Sequence, residues 1–443
     1  MKTLWIKAAV LSTVLASTAF YAQETSMRDY LAPEKSTRNV FEDPKVEAPE
    51  YDGVKVSVGG DFALQFQALD HSTKATLASG KVLTEMGKDF NLPTANLDVN
   101  AYLATGLKMH LRTYLSARHH NEAWVKGGYI QIDNLDFISK GFMSDLMKHA
   151  RVKIGMDEIN YGDSHFRRTD NAEAINNPFV GNNIMDSFST EAFGEVYGYY
   201  GDFSVMGGIS NGKLNQWAFK NTSSSTTGIG ATLNDNAPSY YGKIAYDKQL
   251  NNDLRVRLSA SMYNANNGWA TGSNLYSADR GGSRYYYVLL QTGDMAGESN
   301  QATGRFNPGF RKMVAFQVNP FVKYKGLEFF GTFETVNGYK AVTNADRGSY
   351  NQYAAELLYR FGGKEQFYLG GKYNQVSGED TKGAAERKVE RFNIAGGWYM
   401  TKNVLAKVEY VNQKYNQSNV WGATSPLNGG KFNGLMLEAT IGF

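Results

Sequence analysis

The 443-residue chain has no cysteine and only 9 prolines. The first absence excludes a disulfide framework and thiolate chemistry. The second leaves long stretches free of the residue that most often breaks a sheet ladder. Charge is scarce in net terms too. The formal balance is +3, so no bulk field recommends nucleic acid as a partner. Beyond the N-terminus there is no run of about 20 apolar residues, which excludes a transmembrane helix. No metal-ligand spacing and no phosphate-binding loop is present, so neither metal nor cofactor is expected.

What the chain has instead is 46 Gly, 28 Tyr and 25 Phe. That composition suits many antiparallel strands punctuated by turns. Val54 to Leu69 sets the pattern. Val54, Val56, Val58, Phe62, Leu64 and Phe66 fall on one face, and Lys55, Ser57, Asp61, Gln65 and Gln67 on the other. Successive side chains of a strand point to opposite faces, so the segment is apolar on one side and wet on the other. The same alternation recurs at Leu97–Leu103, Leu107–Arg118 and Leu254–Tyr263, and along the C-terminal half from Lys312 to Phe443. Lone arginines on the polar faces would be costly in a packed core and cheap in a hydrated lumen.

Tight turns such as Gly201-Asp202, Lys325-Gly326 and Thr401-Lys402-Asn403 alternate with long polar runs such as Asn211–Pro238 and Lys414–Lys431. An all-β, transmembrane antiparallel barrel of about 16 strands follows, with short turns at one end and long loops at the other. Only alternate residues face lipid, so the mean hydropathy of −0.43 is no objection. Arg284–Gln291 also alternates. Strand parity assigns it to the long loop Asn264–Arg311; counting it, with a partner, gives the 18-strand alternative.

The N-terminus reads as an export signal. Lys2 and Lys7 precede the apolar Ala8–Ala16, followed by Ser17-Thr18-Ala19 and by Ala22 before Gln23. The expected organisation is a signal peptide over 1–22, a flexible periplasmic segment over 23–52 and a barrel over 53–443. The stretch Phe137–His149 is expected to form a short helix, with Phe142, Leu146 and Met147 packing beneath the barrel. At the other terminus Leu435, Leu437, Ala439, Ile441 and Phe443 share one face, Phe443 standing last.

This pattern resembles the Gram-negative outer-membrane porins, nearest in layout to the phosphate-selective and substrate-specific families. The likeness is carried by Arg151-Val152-Lys153-Ile154-Gly155 before a long loop, by Met206–Gly212, and by Asn319-Pro320-Phe321 leading into the Lys325-Gly326 hairpin. It implies passive diffusion of small hydrophilic solutes across the outer membrane, contact with outer-membrane lipid, and a homotrimer. It also implies that Leu435, Leu437, Ala439, Ile441 and Phe443 are the signal read by the barrel assembly machinery. No phosphate-binding residue set carries over.

In porins the external loop after the fifth strand commonly narrows the lumen. Here that loop is Tyr161–Ser189, and Asp163, His165, Arg167, Arg168, Asp170, Glu173 and Asp186 are its candidate constriction charges. The plainer reading is a solvated external loop. A second candidate is a basic wall of His110, Arg112, Arg118, Arg151, Lys153, Arg255 and Arg257 on lumen faces, suited to anions because guanidinium groups bind them in bidentate fashion. Against it stand Asp61, Asp98, Glu328, Glu334, Glu356, Glu409 and Glu438, inward by the same phase. Tyr102, Tyr114, Tyr263, Phe330 and Tyr368 are inward candidates for a sugar track, while most tyrosines suit interfacial girdles.

Catalysis is not expected. Gly208-Ile209-Ser210-Asn211-Gly212 matches the nucleophile-elbow pattern, but it ends a strand before a polar loop, where that motif needs a strand-to-helix turn. None of the six histidines sits in a catalytic motif. The class-different alternative to a pore is a non-conducting barrel that serves as an adhesion or structural platform.

Overall fold

The computed structural model describes residues 27–31, 39, 41–91, 93–116, 123–168, 173–213, 237–265, 275–276, 285–294, 304–340, 346–417 and 419–443. The expected signal peptide (1–22), Arg118 and Asp170 lie outside them. Where described, alternation is realised as strand at every barrel strand expected, and not at Arg284–Gln291. The barrel strands are β1 (Lys55–Ser72), β2 (Thr94–Ala104), β3 (Leu107–Ser116), β4 (Ala123–Ile132), β5 (Ala150–Glu158) and β6 (Thr190–Tyr200). Then come β7 (Phe203–Ser210), β8 (Ser239–Gln249), β9 (Leu254–Ala265), β10 (Lys312–Tyr324) and β11 (Leu327–Tyr339). The last five are β12 (Gly348–Phe361), β13 (Phe367–Glu379), β14 (Arg387–Thr401), β15 (Val404–Tyr415) and β16 (Lys431–Gly442).

Each strand pairs antiparallel with the next, and β1 closes the cylinder against β16 from Asp61↔Gly442 to Ser72↔Lys431. Its other edge pairs with β2, extended upward by a two-residue strand, Asp89–Phe90, beside Phe66 and Gln67. Closure leaves no free sheet edge, the condition for sheet to survive in a bilayer. The barrel is a closed 16-strand antiparallel cylinder. Between β9 and β10 no strand lies among the described residues. The 16-strand reading therefore holds over 18, and Tyr285–Gln291 instead folds inward.

The two faces separate as the sequence requires. Val56, Val58, Leu258, Leu357, Leu369 and Leu437 are exposed on the outside, whereas Gln65, Asn319, Gln352, Asn374 and Gln413 are fully buried inside. At the short-turn end Tyr359, Phe361, Phe367 and Trp398 stack in series with centroids 5.7–6.1 Å apart, one arc of an aromatic girdle. The C-terminal face is outward: Leu435, Leu437, Ile441 and Phe443 are all exposed. Phe443 and Gly60 exchange backbone hydrogen bonds of 2.9 and 3.0 Å across the closing seam.

Two expectations are corrected. The helix between β4 and β5 exists, but only over Ser144–Met147, and only Met147 is buried; Phe142 and Leu146 are exposed. A single helical turn cannot bury three residues on different sides. The segment before the barrel does not hang free below it. Of its described residues (27–31, 39 and 41–52), Tyr30 donates to Asp133, and Asn39 with residues 41–50 enters the short-turn mouth and ties to the inner wall, because its acidic side chains and carbonyls meet wall cations there. We call it the strap.

Candidate functional site: the barrel interior

Two different kinds of chemistry divide the lumen. On the side walled by β10–β16, the loop Tyr161–Ser189 is folded against the strands, and the described part of the β9–β10 loop fills the space beside it. The wall grips backbone. Gln352 accepts from Met185 N at 2.8 Å and donates to Met185 O at 2.7 Å. Asn374 accepts from Ile184 N at 2.6 Å, and Asn319 from Asp163 N at 2.9 Å. Arg391 donates to Asn182 O and Lys407 to Ala174 O. Carboxylates take tyrosine hydroxyls: Tyr161 and Tyr276 both donate to Glu334, and Tyr285 donates to Glu409 at 2.6 Å. Amide side chains both donate and accept, so they match the peptide groups of a loop that has left water. A Cβ on Gly181 would stand 2.1 Å from the Tyr285 hydroxyl, so glycine there lets loop and ring approach.

On the side walled by β3–β6 a small gap remains between wall and contents. A small cavity of about 70 Å³, partly open to solvent, lies between that wall, the strap and the first turn of the loop. His110 and Arg112 come from β3, Tyr129 from β4, Arg151, Lys153, Asp157 and Glu158 from β5, and Phe193, Glu195 and Tyr197 from β6. Six carboxylates line it (Glu42, Asp43, Asp157, Glu158, Glu173, Glu195) against three Lys or Arg side chains.

Between cavity and packed side runs a buried ion network that ties strap, loop and wall together. Arg257 of β9 meets Asp163 of the loop at 2.8 Å and Glu42 of the strap at 2.6 Å. Lys243 of β8 meets the same two carboxylates at 2.6 and 2.7 Å, and donates to Gly162 O and Asn160 Oδ1. Burial opposes ionisation of Glu42, yet Lys243 and Arg257 hold its carboxyl down to about 2. Asp163 is held lower still by the same pair against the same opposition. Elsewhere Arg151 donates to the Asp43 and Pro44 carbonyls, Lys45 reaches Asp133 at 3.1 Å, and Asn39 donates to Glu328 at 2.9 Å.

The expected wall residues all point inward where described, but most are neutralised. Arg112 pairs with Asp98 at 2.8 Å, Arg151 with Asp133 at 2.7 Å and Arg255 with Asp247 at 2.8 Å. His110 contacts Asn100 at 2.9 Å. Lys153 alone of these cations meets no carboxylate among the described residues. Its ammonium sits 4.8 Å from the Tyr129 ring and 5.6 Å from Tyr197. The loop residues Asp163, His165, Arg167, Arg168, Glu173 and Asp186 are all buried inside the barrel. Arg167 pairs with Glu356, Arg168 with Asp186 and His165 with Glu158.

Tyr102, Tyr263, Phe330 and Tyr368 are buried inward too. Three of them anchor chain: Tyr102 donates to Pro49 O, Tyr263 to Glu191 and Tyr368 to Pro178 O. The path of the strap is not legible in the sequence because its carboxylates lack any period. The packed side does carry a signal in the sequence: lumen positions of β10–β15 carry amides (Gln317, Asn319, Gln352, Asn374, Asn393, Gln413) where a water-facing wall tolerates any polar group.

A closed cylinder with an apolar outside, a polar inside and alternating turn lengths defines the outer-membrane β-barrel class. No protein-family model matches the chain, and no curated protein matches its sequence. Among solved structures it is similar to an anion-selective porin from Comamonas acidovorans, at TM-score 0.49 and 12% identity over 88% of this chain and 100% of that one. The outer membrane channel DcaP of Acinetobacter baumannii is similar at 0.49 and 12%, over 90% and 100%. OmpT, an outer membrane protein of Vibrio cholerae, in a trimer form, is similar at 0.49 and 10%, over 88% and 100%.

Proposed function

We propose that the protein is an outer-membrane porin that passes small hydrophilic solutes along the β3–β6 side of its lumen. The observation that supports this reading is the partly open, mixed-charge cavity between that wall and the inner loop. Charged and polar walls at close quarters favour hydrated solutes and discriminate among ions. The excess of carboxylates, with the wall arginines already paired, opposes an anion preference for this stretch. The loop charges Asp163, His165, Arg167, Arg168 and Glu173 act as the narrowing element. Leu435, Leu437, Ala439, Ile441 and Phe443 serve as the assembly signal.

Planar-bilayer recording of the purified, refolded protein tests the reading: discrete open-channel steps are expected. A silent bilayer at high protein concentration supports the second reading, a non-conducting barrel. That reading has its own observation, the hydrogen-bonded packing of the loop against β10–β16.

A further inference from the structure

The Glu42 carboxylate stands where a soluble anion would be well held. Lys243 and Arg257 lie on adjacent strands, and their side chains are 2% and 3% exposed. One shared partner, Asp163, belongs to the loop and is locked by Asn319 through its backbone. Asp247 also reaches Arg257, at 3.3 Å, but its bidentate partner is Arg255. Glu42 is different. It comes from outside the cylinder, on a strap whose neighbours Phe41 and Asp43 border the cavity. Its oxygens take one ammonium contact at 2.7 Å, one guanidinium contact at 2.6 Å and the Asn160 amide at 3.2 Å. Phe41 lies edge-on to Phe321 with centroids 5.4 Å apart, and the Arg257 guanidinium stands 4.2 Å from its ring. A carboxylate seated on two buried cations and backed by an aromatic ring is the contact set of a bound acid.

We propose that Lys243 and Arg257 form an anion-binding subsite for the carboxylate or phosphate group of a solute, and that the strap fills it with Glu42 as a tethered competitor. Two buried cations left with one fixed carboxylate carry an uncompensated charge, which is costly until an anion returns. A tether of this kind presents its own carboxylate at an effective concentration of millimolar or above, so a free anion competes poorly while the strap is docked. The inference concerns occupancy of one subsite and stands whether or not the barrel conducts.

The absence of cysteine allows a clean test. A spin label on Glu47→Cys, an exposed strap position, reports docking; calorimetry with inorganic phosphate and with acetate reports the vacant subsite. Both are run on the refolded full chain in detergent, so a silent bilayer leaves them unaffected. In the parent the label is immobilised and phosphate binds weakly. In Glu42→Gln the label gains mobility, and phosphate binds about tenfold tighter or more, as loss of the tethered competitor requires. Adding Lys243→Gln abolishes that gain. A chain beginning at Tyr51, which removes the strap and leaves every barrel strand, reproduces the gain by a second route. Stronger phosphate binding than acetate assigns the subsite to phosphate-bearing solutes, and the converse to carboxylates. Equal affinity in the parent, Glu42→Gln and the strapless chain overturns the proposal, as does a gain that survives Lys243→Gln.

Discussion

The two sides of the lumen are built from the same alternating strands and hold their contents by opposite means. Along β10–β16 the contents are mostly backbone and tyrosine hydroxyls, gripped by wall amides, carboxylates and two cations: Gln352 on Met185, Asn374 on Ile184, Glu409 on Tyr285, Arg391 on Asn182 and Lys407 on Ala174. Along β3–β9 they are charges, gripped by charges: Arg151 on Asp133, Arg257 on Asp163 and Glu42. A neutral hydrogen bond is worth about 1 kcal/mol net and many are needed. A buried ion pair is worth little against an apolar substitute but is costly to break from one side. The first arrangement fixes a loop for good. The second leaves a cavity and a strap whose hold depends on a few groups, as the proposed solute path requires.

The comparison breaks most plainly if the packed side is emptied. Deleting Asn176–Ser187 removes the segment that meets Gln352, Asn374 and Arg391, and single-channel conductance is expected to rise severalfold. Unchanged conductance would mean that the packed side does not limit flow. Next in size is Arg257→Ala, which strands Asp163 and Glu42 with Lys243 alone. A loss of about 3–5 kcal/mol is expected, the cost of breaking a buried pair from one side. It would be read from the midpoint of guanidinium unfolding.

Acid sharpens the same contrast. Glu42 has an ordinary carboxyl value of 4.5 and is held at about 2 when docked. A depressed carboxyl contributes stability that is fully present above its undocked value and is lost as pH falls through its docked one. Strap docking should therefore be flat from pH 8 to pH 5 and weaken between about 4.5 and 2. Mobility of a label at Glu47→Cys follows it. A transition centred near neutrality would assign docking to a group other than Glu42.

Strand phase, turn alternation and parity were legible because each is a strict consequence of period 2 and of closure. A slip of one residue would have turned Asp61 or Glu409 to lipid. Parity alone decided against a strand at Arg284–Gln291, and the inward fold of Tyr285 and Val288 against Leu69, Phe432 and Met436 agrees with it. The inward direction of Arg112, Arg151 and Arg257 followed from phase as well. Their neutralisation did not. Asp98 lies directly across from Arg112 in the β2–β3 register, a pairing readable once that hairpin is set, but Asp163 and Glu42 reach Arg257 only through the tertiary path of a loop and a strap. Side-chain period carries no information about segments that have none.

The smallest expected effect tests the neutral side. Tyr285→Phe removes one donor to Glu409, which keeps the Val180 backbone N–H at 2.8 Å, and the acceptor of the Asn393 amide at 2.9 Å, so the loss should be about 2 kcal/mol. Gly181→Ala reaches the same bond from the opposite direction. Its new Cβ would meet the Tyr285 hydroxyl at 2.1 Å and push the ring off Glu409. If both substitutions act through one hydrogen bond, the double variant costs about as much as the dearer single one, not their sum. Full additivity would mean that the ring and the loop are held independently. The packed side would then be a stack of separate contacts, with no more claim to permanence than the strap across the lumen.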